Sequence, residues 1–176
     1  MRVSLARLAA ACAATSALAL PAATLAKGAP DEADVGAQAW FCTDFFAFAD
    51  NTGLPNNFML GGFQFQDKPG GLAPFVNVFV DVLGQPVHGM QFDKRGLRIT
   101  PPVPAAQAHV LVGAFSGAGV QLRAYDAAGA LQDSVFVPND ATMHMVVLAA
   151  ATAPIALVKL KGGNQEGIVN SVCTGP

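Results

Sequence analysis

Apolar and polar positions alternate with period two over several short runs, and turn-forming residues separate the runs. Phe63 and Phe65 share one face, with Gln64 and Gln66 on the other. That alternation marks a half-buried strand, here expected over Phe58 to Gln66. The run Phe75-Val76-Asn77-Val78-Phe79-Val80-Asp81-Val82 is β-branched and aromatic with polar interruptions, the strongest strand signal in the chain. Val120, Leu122 and Ala124 alternate with Gln121, Arg123 and Tyr125, so the first set is expected to face inward and Arg123 to be solvated. Strands are also expected over Trp40 to Phe48, Leu97 to Thr100, His109 to Phe115, Leu131 to Val137, Met143 to Leu148, Ile155 to Leu160 and Ile168 to Cys173. His88 and Met90 fall in one more. Turn signals lie at Asp50 to Gly53, Leu54 to Asn57, Asp67 to Gly71 and Asp126 to Gly129. Strands recur about every ten residues with no amphipathic helix after the first segment, which predicts an all-β sandwich or barrel.

The first segment has a different character. Arg2 and Arg7 precede an Ala/Leu-rich run to Leu20, and Thr24-Leu25-Ala26 offers small residues before Lys27. Residues 1–26 read as an export signal, so the protein is expected to be secreted or periplasmic. The apolar run is too short and alanine-rich for a membrane span, and no transmembrane segment is expected in the mature chain. Ala9-Ala10-Ala11-Cys12 offers an alternative, a lipoprotein signal with Cys12 lipidated, although the large aliphatic residue usual before such a cysteine is missing. Residues 27–39 read as a flexible leader, and residues 40–176 as a single β-sandwich domain.

Cleavage leaves 150 of the 176 residues, enough for one domain with a sizeable core. It also leaves eight basic and twelve acidic residues, a net charge of −4. No basic patch is visible along the sequence, which argues against nucleic acid and anionic lipid as partners. With Cys12 removed, Cys42 and Cys173 are the only pair, and in an oxidising compartment they are expected to bond. The first and last segments would then lie side by side. The alternative is two free buried thiols.

The stretch VQLRAYDAAGALQDSVFVP, followed by PIALVKLKGGNQEGIVNSVC, resembles the last strands of jelly-roll domains of the galactose-binding-domain-like and carbohydrate-binding-module-like type found in bacterial secreted proteins. The matching positions are Val120, Leu122, Ala124, Tyr125, Asp126 and Gly129, then Ile155, Val158 and Leu160, then the turn Gly163 to Gly167. Cys42-Thr43-Asp44-Phe45 matches the first strand loosely. The resemblance implies a jelly-roll β-sandwich with adjacent N- and C-terminal strands. It also implies a structural Ca²⁺ between those strands, for which Asp44, Asp50, Glu166 and Asn170 are the candidate oxygen ligands. The opposing reading leaves Asp44 and Asp50 facing loops and Glu166 solvated in a turn. No other cofactor is expected.

Met143-His144-Met145 carries soft ligands that suit Cu(I), but a strand separates the imidazole from the thioethers, so Met143 and Met145 are expected to pack in the core. No nucleophile elbow, zinc-binding His-Glu-x-x-His helix or phosphate loop is present in the sequence. The resemblance to carbohydrate-binding-module-like domains implies the expected function, that of a secreted non-catalytic binding module for glycan or another cell-surface polymer. Trp40 and Tyr125 are the candidate sugar platforms, though either fits equally as core. The alternative is a structural or adhesive protein of the envelope or matrix working through protein contacts. A small hydrolase, which would need a carboxylate pair in a cleft, ranks third.

Overall fold

The computed structural model describes residues 39–68 and 73–176. The export signal with Cys12, nearly all of the expected leader and part of the expected turn after Asp67 lie outside the described residues. Twelve strands follow one another: β1 (Phe41–Asp44), β2 (Asn57–Leu60), β3 (Phe63–Asp67), β4 (Phe75–Val80), β5 (Pro86–Phe92), β6 (Leu97–Thr100), β7 (Gln107–Ala114), β8 (Val120–Tyr125), β9 (Leu131–Val137), β10 (Met143–Ala149), β11 (Leu157–Gly162) and β12 (Gly167–Gly175). A single 3₁₀ turn, Gly163–Gln165, joins the last two.

The strands form two antiparallel sheets. The first has the order β10-β7-β12-β5-β4, with β1 also on β12; the second has the order β2-β3-β6-β11-β8-β9. Side chains from both sheets make one core, including Phe63, Phe65, Leu122 and Leu160 from the second and Met90, Phe92, Val110 and Leu148 from the first. This is the expected all-β jelly-roll sandwich, and its terminal strands are adjacent: β1 pairs antiparallel with the C-terminal half of β12. β5 occupies the same edge of β12 further along, over Gly167 to Val169. A register shift between Val169 and Ser171 separates the two partners, and Asn170 sits in it. A bulge of this kind resets which side chains face inward. Val169 and Val172 are both buried across it.

Three local expectations are corrected. Phe58 to Gln66 is a hairpin, β2 and β3, and not one strand. Gly61 and Gly62 both take positive φ, 57° and 84°, which opens a tight turn between the two halves. The inward set shifts from Phe58 and Leu60 before the turn to Phe63 and Phe65 after it, a phase break that the reading as one strand passed over. The first strand ends at Asp44 and does not run to Phe48, because the Asp44 carboxylate accepts the Phe46 N–H at 3.0 Å and bends the chain. In β10 the buried residues are Val146 and Leu148, so the methionines fall on the opposite face and Met145 is 58% exposed. His144 sits at the rim of the inward face, where its Nε2 meets both Asp140 oxygens, at 3.0 and 3.1 Å.

Candidate functional site

The outer face of the second sheet carries a groove of about 580 Å³. Period two puts it there. Leu97, Ile99, Leu122, Ala124, Val158 and Leu160 are buried, so the residues between them point outward. Register then aligns them. Gln66 stands opposite Arg98, Arg98 opposite Lys159, Lys159 opposite Arg123, and Arg123 opposite Ser134. This one transverse row crosses five strands. Lys161 and Gln121 form a second cross-strand pair beside it, and Lys68 and Arg95 reach the groove from the loops after β3 and before β6.

Six of the seven Lys and Arg residues in the described part of the chain line this groove: Lys68, Arg95, Arg98, Arg123, Lys159 and Lys161. A basic patch therefore exists, against the expectation from sequence. Its members are spread from position 68 to position 161, and only strand pairing gathers them. Their signal in the sequence was their position on the outward face of expected strands, but which strands are neighbours was not readable.

Asp67 is the one carboxylate among the lining residues. It is the last residue of β3, it points inward, and it is 2% exposed. Neither of its carboxylate oxygens makes a hydrogen bond of good geometry. Burial pushes its carboxyl up to about 6; the backbone N–H of Lys68 pulls the other way, the charge of Asp93 adds to the rise, and Arg95 opposes it. Asp93 is buried too, and it accepts a 2.7 Å hydrogen bond from Arg95 Nε. Arg95 Nη2 also donates to the Lys68 carbonyl at 3.1 Å, which ties the two loops at the groove's end.

Tyr125 and Trp40, the two aromatic candidates, lie on opposite sheets. Tyr125 lines the groove, and Lys159 Nζ sits 4.2 Å from its ring centroid, so a cation covers the ring. Trp40 lies outside the first sheet, its ring 4.5 Å from that of His109. It lies flat on Gly175, where a Cβ would come within 2.5 Å of the indole. Below it, Cys42 and Cys173 face each other across β1 and β12 and are bonded, closing a separation of 131 residues.

The four candidate calcium ligands do not gather into one oxygen cage. Asp44 bonds the Phe46 amide, and Asp50 pairs with His88 Nε2 at 3.3 Å. Asn170 donates through Nδ2 to the His88 carbonyl at 2.5 Å, so it and Asp50 hold the two ends of the same histidine. Glu166 precedes β12 at its other end, roughly 13 Å from Asn170 at strand rise, with its carbonyl accepting the Phe115 N–H. Among the described residues no three His, Cys, Asp or Glu side chains form a metal-binding group. The set does not fit a calcium ion as a unit.

No family model matches the chain, and no curated protein matches it. Among solved structures it is similar to the C-terminal CBM6 module of a marine laminarinase from Zobellia galactanivorans, with 11% identity, 65% of this chain and 99% of that chain covered, and a TM-score of 0.38. It is also similar to a CBM6 module from Clostridium stercorarium in complex with cellobiose, at 14% identity, 65% and 95% coverage and a TM-score of 0.34. A third is the carbohydrate-binding module of Cellvibrio mixtus lichenase 5A in complex with cellotriose, at 11% identity, 57% and 87% coverage and a TM-score of 0.32. The sugars named there are the ligands of those proteins. No helix among the described residues is long and apolar enough to cross a membrane.

Proposed function

We propose that the protein is a secreted or periplasmic, non-catalytic glycan-binding module whose binding face is the groove on the second sheet. The observation that supports this reading is the groove itself: an open site of about 580 Å³ on paired strands, lined by Gln66, Gln121, Arg123 and Tyr125. Strand-borne side chains hold their spacing, which is what recognition of a repeating polymer requires. Amide, guanidinium and phenol groups match the hydroxyls of sugars. A hydrolase would need two carboxylates reaching a glycosidic bond. Asp67 and Asp93 are 2% and 3% exposed, so neither reaches a ligand lying in the groove.

The test is a polysaccharide screen by affinity electrophoresis and calorimetry, with neutral and acidic polymers, on the purified protein. Binding to at least one polymer, weakened about tenfold in Tyr125→Ala, is the expected result. Failure to bind any polysaccharide overturns the reading.

One observation favours the second reading, an envelope protein that works through protein contacts. On the outer face of the first sheet, Val147 stands opposite His109 and Met145 opposite Leu111, with Trp40 packed on His109. Trp40, Met145 and Val147 are all exposed. Such a patch suits a protein partner.

A further inference from the structure

Arg98, Lys159 and Arg123 stand directly opposite one another on three consecutive strands, β6, β11 and β8. Like charges placed opposite across a sheet are destabilising. The Tyr125 ring faces Lys159, but no carboxylate neutralises the row: none of Arg98, Arg123, Lys159 or Lys161 forms an ion pair among the described residues. The chain as a whole has a net charge of −2, yet the only carboxylate lining the groove is the buried Asp67. Positive charge is thus segregated onto one face of an acidic protein. A cost of this kind, concentrated where a polymer would lie, points to a ligand that supplies the missing negative charge.

We propose that the groove selects an acidic polysaccharide, one carrying a carboxylate or sulfate on its sugar rings. The proposal rests on the glycan-binding reading above and adds the charge class of the glycan. Guanidinium forks on Arg98 and Arg123 grip two oxygens of a carboxylate or a sulfate bidentately. Lys159, between them, contributes a point charge. The three cations succeed one another at the strand spacing of about 4.8 Å, a step comparable with the length of one sugar residue. The polymer therefore runs across the strands, along the row from Gln66 to Ser134. Gln66, Gln121 and Ser134 flank the cations with neutral groups for ring hydroxyls. Nucleic acid fits less well. The groove has one aromatic ring, Tyr125, and Lys159 already covers it, so unpaired bases have no stacking platform.

The experiment compares the protein with the double variant Arg98→Gln/Arg123→Gln. Binding is measured by calorimetry to polygalacturonate, chondroitin sulfate, a neutral β-glucan and duplex DNA, across a NaCl series. Urea unfolding is followed on both proteins in parallel. We expect one or both acidic polysaccharides to bind, with polygalacturonate against chondroitin sulfate telling carboxylate from sulfate recognition. Their affinity falls as NaCl rises past about 0.1 M, where screening reaches about 10 Å. The double variant loses about a hundredfold in affinity, from two charge-assisted hydrogen bonds. Its urea midpoint stays the same or rises, because repulsion in the row is relieved. Binding of the neutral β-glucan alone, equal in both proteins, leaves the glycan-binding function standing and overturns the charge selectivity. Acidic polymers bound equally by both proteins also overturn it. DNA bound more tightly than every polysaccharide, or no polysaccharide bound at all, overturns both.

Discussion

Asp67 carries an energetic burden that the fold tolerates at the groove's end. Its carboxyl is buried, lacks a well-formed hydrogen bond, and has its pKa raised from 3.8 to about 6. The folded state therefore holds the proton more tightly than the unfolded chain. Below about pH 4 both states are protonated and no penalty exists; as pH rises toward about 6 stability falls, and above that the whole penalty is present. Asp67→Asn keeps the shape and removes the charge. We expect it to raise unfolding free energy at pH 7 by about 1–2 kcal/mol, below the full displacement of the pKa because the groove beside it is open to water. At pH 3.5 wild type and variant are expected to coincide. Urea titrations at the two pH values check this; an equal effect at both would place the cause in packing and not in ionisation.

β8 shows how an element divides its labour between two faces. Val120, Leu122 and Ala124 are fully buried, while Arg123 between them is exposed on the groove. Leu122→Ala is expected to cost roughly 2–5 kcal/mol, as buried leucine truncations do. Arg123→Ala is expected to stay within about 0.5 kcal/mol, on the stabilising side, because it breaks the row of like charges. Equilibrium urea unfolding of both variants is the measurement. A larger loss for Arg123→Ala would mean the strand faces are exchanged, since a one-residue slip reverses them. The alternation of β8 was legible in the sequence because its period is a property of the strand itself. The hairpin at Gly61 and Gly62 was legible too and was passed over: the inward set shifts from Phe58 and Leu60 to Phe63 and Phe65, a phase break at a Gly-Gly pair. In β10 the methionines were assigned to the wrong face because Met143, Met145 and Val147 form one apolar set, Val146 and Leu148 another, and apolarity alone does not choose between them.

The disulfide ties the two ends of the domain together. Cys42 and Cys173 are cross-strand neighbours on β1 and β12, and the loop they close has a separation of 131 residues. In the chain-entropy account, closing a loop that long removes roughly 4–5 kcal/mol of freedom from the unfolded state. The paired variant Cys42→Ala/Cys173→Ala is therefore expected to unfold at markedly lower urea, by about 2–5 kcal/mol. Intact-mass measurement of the non-reduced protein should find no alkylatable thiol at either position; two labelled thiols under oxidising conditions would refute the bond.

The resemblance of the last strands implied the jelly-roll sandwich. Period-two patterning, frequent turns and one cysteine pair were enough to set the all-β class and the adjacency of the chain ends. Each is a local signal or an accounting of residue types, and local backbone geometry or oxidation enforces it. The strand neighbours were a different matter. Arg123 read as a solitary solvated charge, and Arg98 and Lys159 carried no signal on their own strands that joined them to it. They become a row because β11 inserts between β6 and β8, a pairing that depends on how two sheets bury their apolar faces against each other. The separation of Asp50 and Asn170 from Glu166 was settled in the same way, by the length of β12 that lies between them. Side-chain orientation belongs to the individual strand and is written in its sequence; the meeting of distant strands belongs to the packed core, so the groove and its charge came only with the tertiary structure.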